Sequence, residues 1–478
     1  MLFRLCPSVL RRPAGRLAAA LVFLGALAFL PAHAQSASPV DPTLARLVDE
    51  SLKARPELAR SEAVVRAQEE RIPQASAFPD PMLQLGLQND GFTSIEIGTM
   101  PSSYVSLMAT QTLPWPGKRA LRRSTAELAV AGARESVTRV RLSTAADVRR
   151  AYLDLLLVRD RRGLLGQLEG IWQRSVAVAL SRYESGEGSQ SDVLRAQLQL
   201  TRIKQSRIAL DASDRGSVQA LNRLRGQPLD TPIETTTHIR ELPPLAPLAA
   251  QFSPDVALER SPELAAARLA VEAAGSTVAL AETATKPDLT VGAGFMFRGT
   301  MPPMWLLTVG APLPIFVEDK QDRAVAENRA WVEVSKQEVA ALEQTLRLRS
   351  GERRSAFLAL SDTVALYEQG LLVQSEATTQ STLAQYMVGR VSFASVLEAN
   401  AGFVSDQEGL LLSIAAAHRL LIAEAEVSLA PVPLPGGAGG GAAMPGAGAS
   451  SMGSQAKASE GGSAPTTGPA PGGDSSGM

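Results

Sequence analysis

The sequence predicts a mainly α-helical chain with a small β part, built as one structural pattern written twice. Short motifs recur: Pro56-Glu57-Leu58 as Pro262-Glu263-Leu264, Pro79-Asp80 as Pro287-Asp288, and Leu113-Pro114 as Leu313-Pro314. Tyr183-x-x-Gly186 returns as Tyr386-x-x-Gly389, and Val193-Leu194-x-Ala196 as Val396-Leu397-x-Ala399. Their offsets of 206, 208, 200, 203 and 203 residues hold through helical and non-helical segments alike. Solenoid units run roughly 20–50 residues, so this period marks a duplicated half-molecule. The other two observations are a long proline-free stretch in each half and, ahead of it, a pair of segments that alternate apolar with small or polar residues.

The elements follow in order. Arg4, Arg11, Arg12 and Arg16 precede an apolar run from Leu17 to Leu30 and then Ala32-His33-Ala34, so residues 1–34 are expected to be a secretory signal peptide. The run is 14 residues long, short of the roughly 20 that a spanning helix needs. Residues 35–225 form the first predicted repeat. It opens with a helix over Pro42 to Ala75, rich in Ala, Leu, Glu and Arg at helical spacing. Pro79-Asp80 stops it. Leu83, Leu85 and Leu87 then alternate with Gln84, Gly86 and Gln88, and Val105, Leu107 and Ala109 with Ser106, Met108 and Thr110. The second repeat, residues 254–430, opens with a helix over Pro254 to Thr285. Its strands alternate Leu289, Val291, Ala293, Phe295 and Phe297 with Thr290, Gly292, Gly294 and Met296, then Leu307, Val309 and Ala311 with Thr308 and Gly310. Four strands of about nine to eleven residues with one apolar face fit a barrel wall facing lipid. Soluble hairpins with one buried face would show the same alternation.

Each strand pair ends in a proline-rich corner, Leu113-Pro114-Trp115-Pro116-Gly117-Lys118 or Ala311-Pro312-Leu313-Pro314, and a long helix is expected next. From Arg119 to Tyr183, Leu157, Leu164, Ile171 and Val178 fall seven apart. From Gln321 to Met387, Phe357, Leu360, Val364, Tyr367 and Leu371 step by three and four, as in packed coiled coils. Glycine turns follow, at Gly186 and Gly188 and at Gly389, and a third helix runs to Arg225 or Leu429. At 1.5 Å per residue the long helices span about 100 Å. The two flanking helices of each repeat together match one long helix in length, which predicts that they stack end to end beside it. Residues 226–253 read as an equatorial linker around the middle of the column. Residues 431–478 are Gly, Ala, Pro and Ser with almost no large apolar side chain, and are expected to be disordered.

Composition excludes several functions. The net charge of −1 becomes −5 once the four arginines of residues 1–34 are removed, which leaves no basic footprint for nucleic acid. The single cysteine, Cys6, lies in the predicted signal, so the mature chain offers no disulfide, no thiolate site and no cysteine to carry a lipid. Nucleophile elbows, phosphate loops and zinc motifs are not seen, so no enzyme, cofactor or resident metal is expected. His238 and His418 are far apart in sequence. Met82, Met100, Met108, Met296, Met301 and Met304 gather in the strands and their loops. Thioethers suit Cu(I), but methionine also fills apolar faces, and the sequence leaves both readings open.

Four strands cannot close a barrel in lipid, where each unpaired backbone group costs several kcal/mol. Two chains would give eight strands with a filled interior, and an open passage needs more. This order of elements resembles the TolC family of outer-membrane efflux ducts over residues 40–430, most specifically in the turn strings RYESGEGSQSDVLRAQ and QYMVGRVSFASVLEAN. The Leu-Pro-Trp-Pro-Gly-Lys corner is similar to the heavy-metal branch, CzcC- and CusC-like. The resemblance implies an α/β double barrel: a homotrimer with a twelve-stranded barrel in outer-membrane lipid above a twelve-helix periplasmic tunnel. It also implies a periplasmic adaptor and an inner-membrane pump of the RND type as partners.

In that family the turn end is the gate, and the resemblance places Arg182, Asp192, Tyr386, Arg390 and Glu398 there. Tyr183, Gly186, Gly188 and Gly389 form the turns expected to meet the adaptor. The match is incomplete: Val391 stands where the family has arginine, with Arg390 one residue early, and Ser395 replaces one member of an acidic ring that keeps Glu398. The expected function is a passive exit duct, for heavy-metal cations foremost. The alternatives are a duct for drugs or for type I protein secretion, and, in another class, a periplasmic coiled-coil adaptor or scaffold.

Overall fold

The computed structural model describes residues 41–432; the predicted signal peptide and nearly all of the predicted tail lie outside them. The first repeat opens with α1 (Pro42–Ala54), α2 (Pro56–Glu69) and α3 (Arg71–Ser76). Strands β1 (Met82–Gln88) and β2 (Tyr104–Leu113) follow, then α4 (Lys118–Glu184) and α5 (Gln190–Leu224). The linker holds two 3₁₀ turns and the short α6 (Leu245–Leu248). The second repeat runs α7 (Pro254–Arg260), α8 (Pro262–Glu282), β3 (Leu289–Arg298), β4 (Met301–Gly310), α9 (Asp322–Leu366), α10 (Leu372–Met387) and α11 (Phe393–Ala425).

Three expectations are corrected. The helices expected to open each repeat are broken, and by the same residue type. Pro56 and Pro262 lack an N–H and force the preceding residue out of helical backbone, so Arg55 and Ser261 are extended at ψ 117° and 113°. The strands are unequal: β1 has 7 residues and the other three have 10, and β4 begins at Met301 rather than near Leu307. The second long helix is interrupted by a π turn at Tyr367–Leu371, where the Tyr367 hydroxyl occupies the space a side chain at Gly409 would need. Apolar spacing at three and four hides such an insertion.

The strands form one antiparallel sheet in the order β1-β2-β3-β4. Leu85 pairs with Leu107, Leu107 with Phe295 and Phe295 with Trp305, so one face carries an unbroken apolar row. That face is open to solvent in the single chain, with Leu85 75% and Trp305 80% exposed. The other face carries Gln84, Gly86, Ser106, Thr110, Gly292, Gly294 and Thr308. Below the sheet, Lys118 donates to Asp288 Oδ1 and to the Lys286 carbonyl at 2.8 Å each. The Trp115 N–H reaches the same carboxylate at 2.8 Å, which ties the corner of one repeat to the strand entry of the other.

The helix α4, 67 residues long, spans about 100 Å. It packs against α2 and α8 nearer the sheet and against α5 and α11 nearer the turns. The shorter helices meet end to end. Arg225, which ends α5, donates to Glu50 of α1 at 3.0 Å. Arg139 of α4 holds the carbonyls of Glu426 (2.9 Å) and Val427 (3.0 Å) just past α11 and pairs with Glu263 at the start of α8. Beside that joint, Glu424 is buried between Arg353 Nε at 2.6 Å and Ser350 Oγ at 2.7 Å. The linker lies against the middle: Ile233, Ile239, Leu245 and Phe252 enter a core with Tyr152, Leu156, Phe357 and Leu410. Among the described residues, two helical segments, Pro262–Thr285 and Val317–Met387, are long and apolar enough to cross a membrane, and both are largely uncovered in the single chain.

Candidate functional site at the turn end

Both reversals are built the same way, because glycine stands where each helix must end. Gly186 and Gly389 take φ of +79° and +75°, the left-handed region that a side chain disfavours. The Glu187 N–H returns to the Arg182 carbonyl (2.9 Å) and the Gly186 N–H to that of Tyr183 (3.1 Å). In the second repeat the Arg390 N–H reaches Gln385 (2.9 Å) and the Gly389 N–H reaches Tyr386 (3.0 Å). These are two Schellman endings. Ser189 then caps α5, its hydroxyl accepting from the Asp192 N–H at 3.3 Å. Gly188 is required by packing, since a Cβ there would stand 2.9 Å from that of Arg182.

Between the two turns, Arg182, Asp192 and Tyr386 come together. The Tyr386 hydroxyl donates to Asp192 Oδ2 at 3.2 Å. Arg182 lies over the Tyr386 ring, 4.8 Å from its centroid, and donates to the Tyr386 carbonyl and, at 3.1 Å, to that of Glu187. The residue Tyr386 is buried, its ring 5.2 Å from that of Phe393, in a cluster with Trp172, Val193, Ala196 and Val396. Burial, then the charge and hydrogen bond of Asp192, push its hydroxyl up to about 12. Tyr386 is therefore a neutral donor throughout the physiological range.

The remaining named residues stand apart. Arg390 is exposed, and its guanidinium has no hydrogen-bond or ion-pair partner among the described residues; Arg182 is the cation that meets Tyr386. Glu398 is exposed on α11 and likewise unpaired among the described residues. Tyr183, Gly186 and Gly389 are exposed at the tips and Gly188 is half-buried behind them. Phe393, which the sequence reading passed over, supports Tyr386. The signal was there in the alignment of the two turn strings, where Phe393 faces Gln190.

No ring of His, Asp or Glu able to hold a metal ion occurs among the described residues. A search of curated protein sequences gave no match. Among solved structures, the chain is similar to the outer-membrane channel OprN, with 17% identity over 82% of this chain and 91% of that one at a TM-score of 0.68. It is also similar to CusC (17% identity, 81% and 92% coverage, TM-score 0.68) and to VceC from Vibrio cholerae (18%, 81% and 97%, 0.66). The family model described as "Outer membrane efflux protein" matches residues 47–227 and 253–430, both repeats and little of the linker. The chain, a duplicated column of long helices bearing an open four-stranded sheet, thus belongs to the outer membrane efflux protein family.

Proposed function

We propose that three copies of this chain form the exit duct of a tripartite efflux system, joined to a periplasmic adaptor and an inner-membrane RND-type pump, and that the duct conducts heavy-metal cations passively outward. One observation carries the trimer. The sheet ends at β1 and β4 with no partner for either edge among the described residues, and its apolar face is uncovered. The open edges are not stable in lipid unless further strands close the ring, and the uncovered apolar face is stable only against lipid. The open apolar flanks of α8 and α9, including Trp331 and Val334, would be covered by neighbouring helices of the same ring.

The turn cluster supplies the gate of this proposal. Asp192 from the first repeat and Tyr386 from the second hold adjacent helix pairs together, and Arg182 fastens the same tyrosine by its carbonyl and ring. Arg390 and Glu398, exposed and unpaired among the described residues, would line the entrance, where Glu398 favours cations. The exposed tips at Tyr183, Gly186 and Gly389 are the surface for the adaptor, with Gly188 shaping the first of them. The assignment to heavy metals rests on the Leu113-to-Lys118 corner string.

Carbonate-washed outer membranes and single-channel recording test the duct: a purified chain that stays soluble and monomeric without detergent would refute it. For the gate, Asp192→Ala and Arg182→Ala are each expected to raise conductance, and unchanged conductance in both would remove the role. Deletion of the gene followed by a panel of metals and drugs tests the substrate; sensitivity to drugs alone would favour a drug duct.

A further inference from the structure

The strand register decides the two readings of the methionines. Apolar filler belongs with Leu83, Leu85, Leu107, Phe295, Trp305 and Leu307. Of the strand methionines, Met82, Met108, Met296 and Met304 fall on the opposite face, in rows shared with Ser106, Thr110, Gly292, Gly294 and Leu306, while Met301 lies beyond a register shift. Met296 stands directly opposite Met304, and Met108 opposite Gly294, two residues along the strand from Met296 and on the same face. Directly opposed Cβ atoms are about 4.5–5.5 Å apart and diagonal ones about 7–8 Å, within reach of flexible side chains. The Met108 methyl group leans over Gly294, 3.7 Å from where a Cβ would be, so that glycine opens the space toward Met296. Nearby, Arg298 donates to Met301 Sδ at 3.4 Å, a thioether already serving as a polar acceptor.

We propose that Met108, Met296 and Met304 form a thioether site for a soft monovalent cation, Cu(I) or Ag(I), on the inner face of the barrel wall. It rests on the duct reading, under which this face lines the passage, and it narrows the cargo from heavy metals to soft ones. Neutral thioethers select soft cations over Zn²⁺, which favours imidazole or thiolate. A site without charge also binds weakly enough for the ion to leave, as conduction requires.

The test uses the full chain with Cys6→Ser, which removes its only cysteine, in planar bilayers with nitrate electrolyte and silver nitrate as the probe. Silver is expected to reduce the current, and Met108→Leu/Met296→Leu/Met304→Leu to raise the half-effective concentration at least tenfold. Zn²⁺ should act alike on both proteins. Leucine roughly conserves volume, so the barrel should persist. An identical silver response in the two channels would overturn the site while leaving the duct intact. If neither protein makes channels, the duct reading fails. X-ray absorption on the detergent-solubilised proteins then still decides the site: sulfur around silver that is lost in the triple variant supports it, and no sulfur refutes it.

Discussion

The two turns share a backbone and differ in what they bury. Gly186 and Gly389 end their helices with the same pair of hydrogen bonds, and Tyr183 and Tyr386 stand at matching positions three residues earlier. Yet Tyr183 is 45% exposed and Tyr386 only 2%. Phe393, Val391 and Ser395 face Gln190, Gly188 and Asp192 in the other string. The apolar residues give the second turn a core, and the aspartate kept by the first turn reaches across to that core. Duplication preserved the reversal, which depends on glycine, and let the side chains divide the work. One turn holds its tyrosine in a core and the other leaves its tyrosine exposed.

The largest effect should come from removing that core. Phe393→Ala is expected to cost about 3–5 kcal/mol locally, read as faster hydrogen exchange from Leu383 to Val396. Gln190→Ala should stay within about 0.5 kcal/mol. Equal effects would dissolve the contrast.

The contrast extends along the last helix of each repeat. His418 on α11 is half-buried, and the desolvation pushes its imidazole down to about 4; the matching Arg215 on α5 is exposed. A depressed histidine contributes stability that is complete above its ordinary value of 6.5 and is lost as the pH falls toward 4. The loss is up to about 3 kcal/mol. In denaturant titrations at pH 6.5 and pH 4, His418→Leu should flatten this dependence, whereas Arg215→Ala should leave it unchanged.

Glycine sharpens the comparison at the shared backbone. Gly186→Ala and Gly389→Ala should each cost about 1–2 kcal/mol from left-handed strain. The second should cost more, because its Cβ would stand 3.1 Å from Arg182 Nη2 while the first meets open space. Thermal melts of the two variants would rank them, and the reverse order would contradict the assigned packing.

The smallest effect belongs to the linker. His238 Nδ1 lies 2.6 Å from Asp160 Oδ1, and this hydrogen bond, then the carboxylate's charge, raise the imidazole above its ordinary range. Its share in pinning the linker is therefore complete below about 6.5 and fades as the pH climbs past the raised value. Exchange of the Ile239 amide, bonded to Asp160 Oδ2 at 2.6 Å, should quicken over that range beyond its intrinsic rate. His238→Gln should remove the change.

Much of the architecture was legible because it is periodic. Alternation at two, apolar spacing at three and four, and proline and glycine at the ends are local constraints on backbone and solvation. They placed the four strands, the first long helix nearly to its ends, both turns and the end-to-end stacking. The Pro56 and Pro262 breaks were written in the same alphabet and were overlooked because the flanking residues favour helix on both sides. The π turn at Tyr367 leaves no such mark; it is set by the fit of Tyr367 against Gly409, more than 30 residues away.

The candidate site divides the same way. Sequence alone determined that the chain is a duplicated helical column with amphipathic strands and glycine reversals, since each feature follows from composition and spacing within one segment. Only the tertiary structure decided which cation meets Tyr386 and which methionines stand beside one another across the strands. Arg182 and Tyr386 are 204 residues apart, and cross-strand register joins residues that no local rule connects. Those pairings come from how separate helices and strands pack, which is where charge, ring and thioether find their partners.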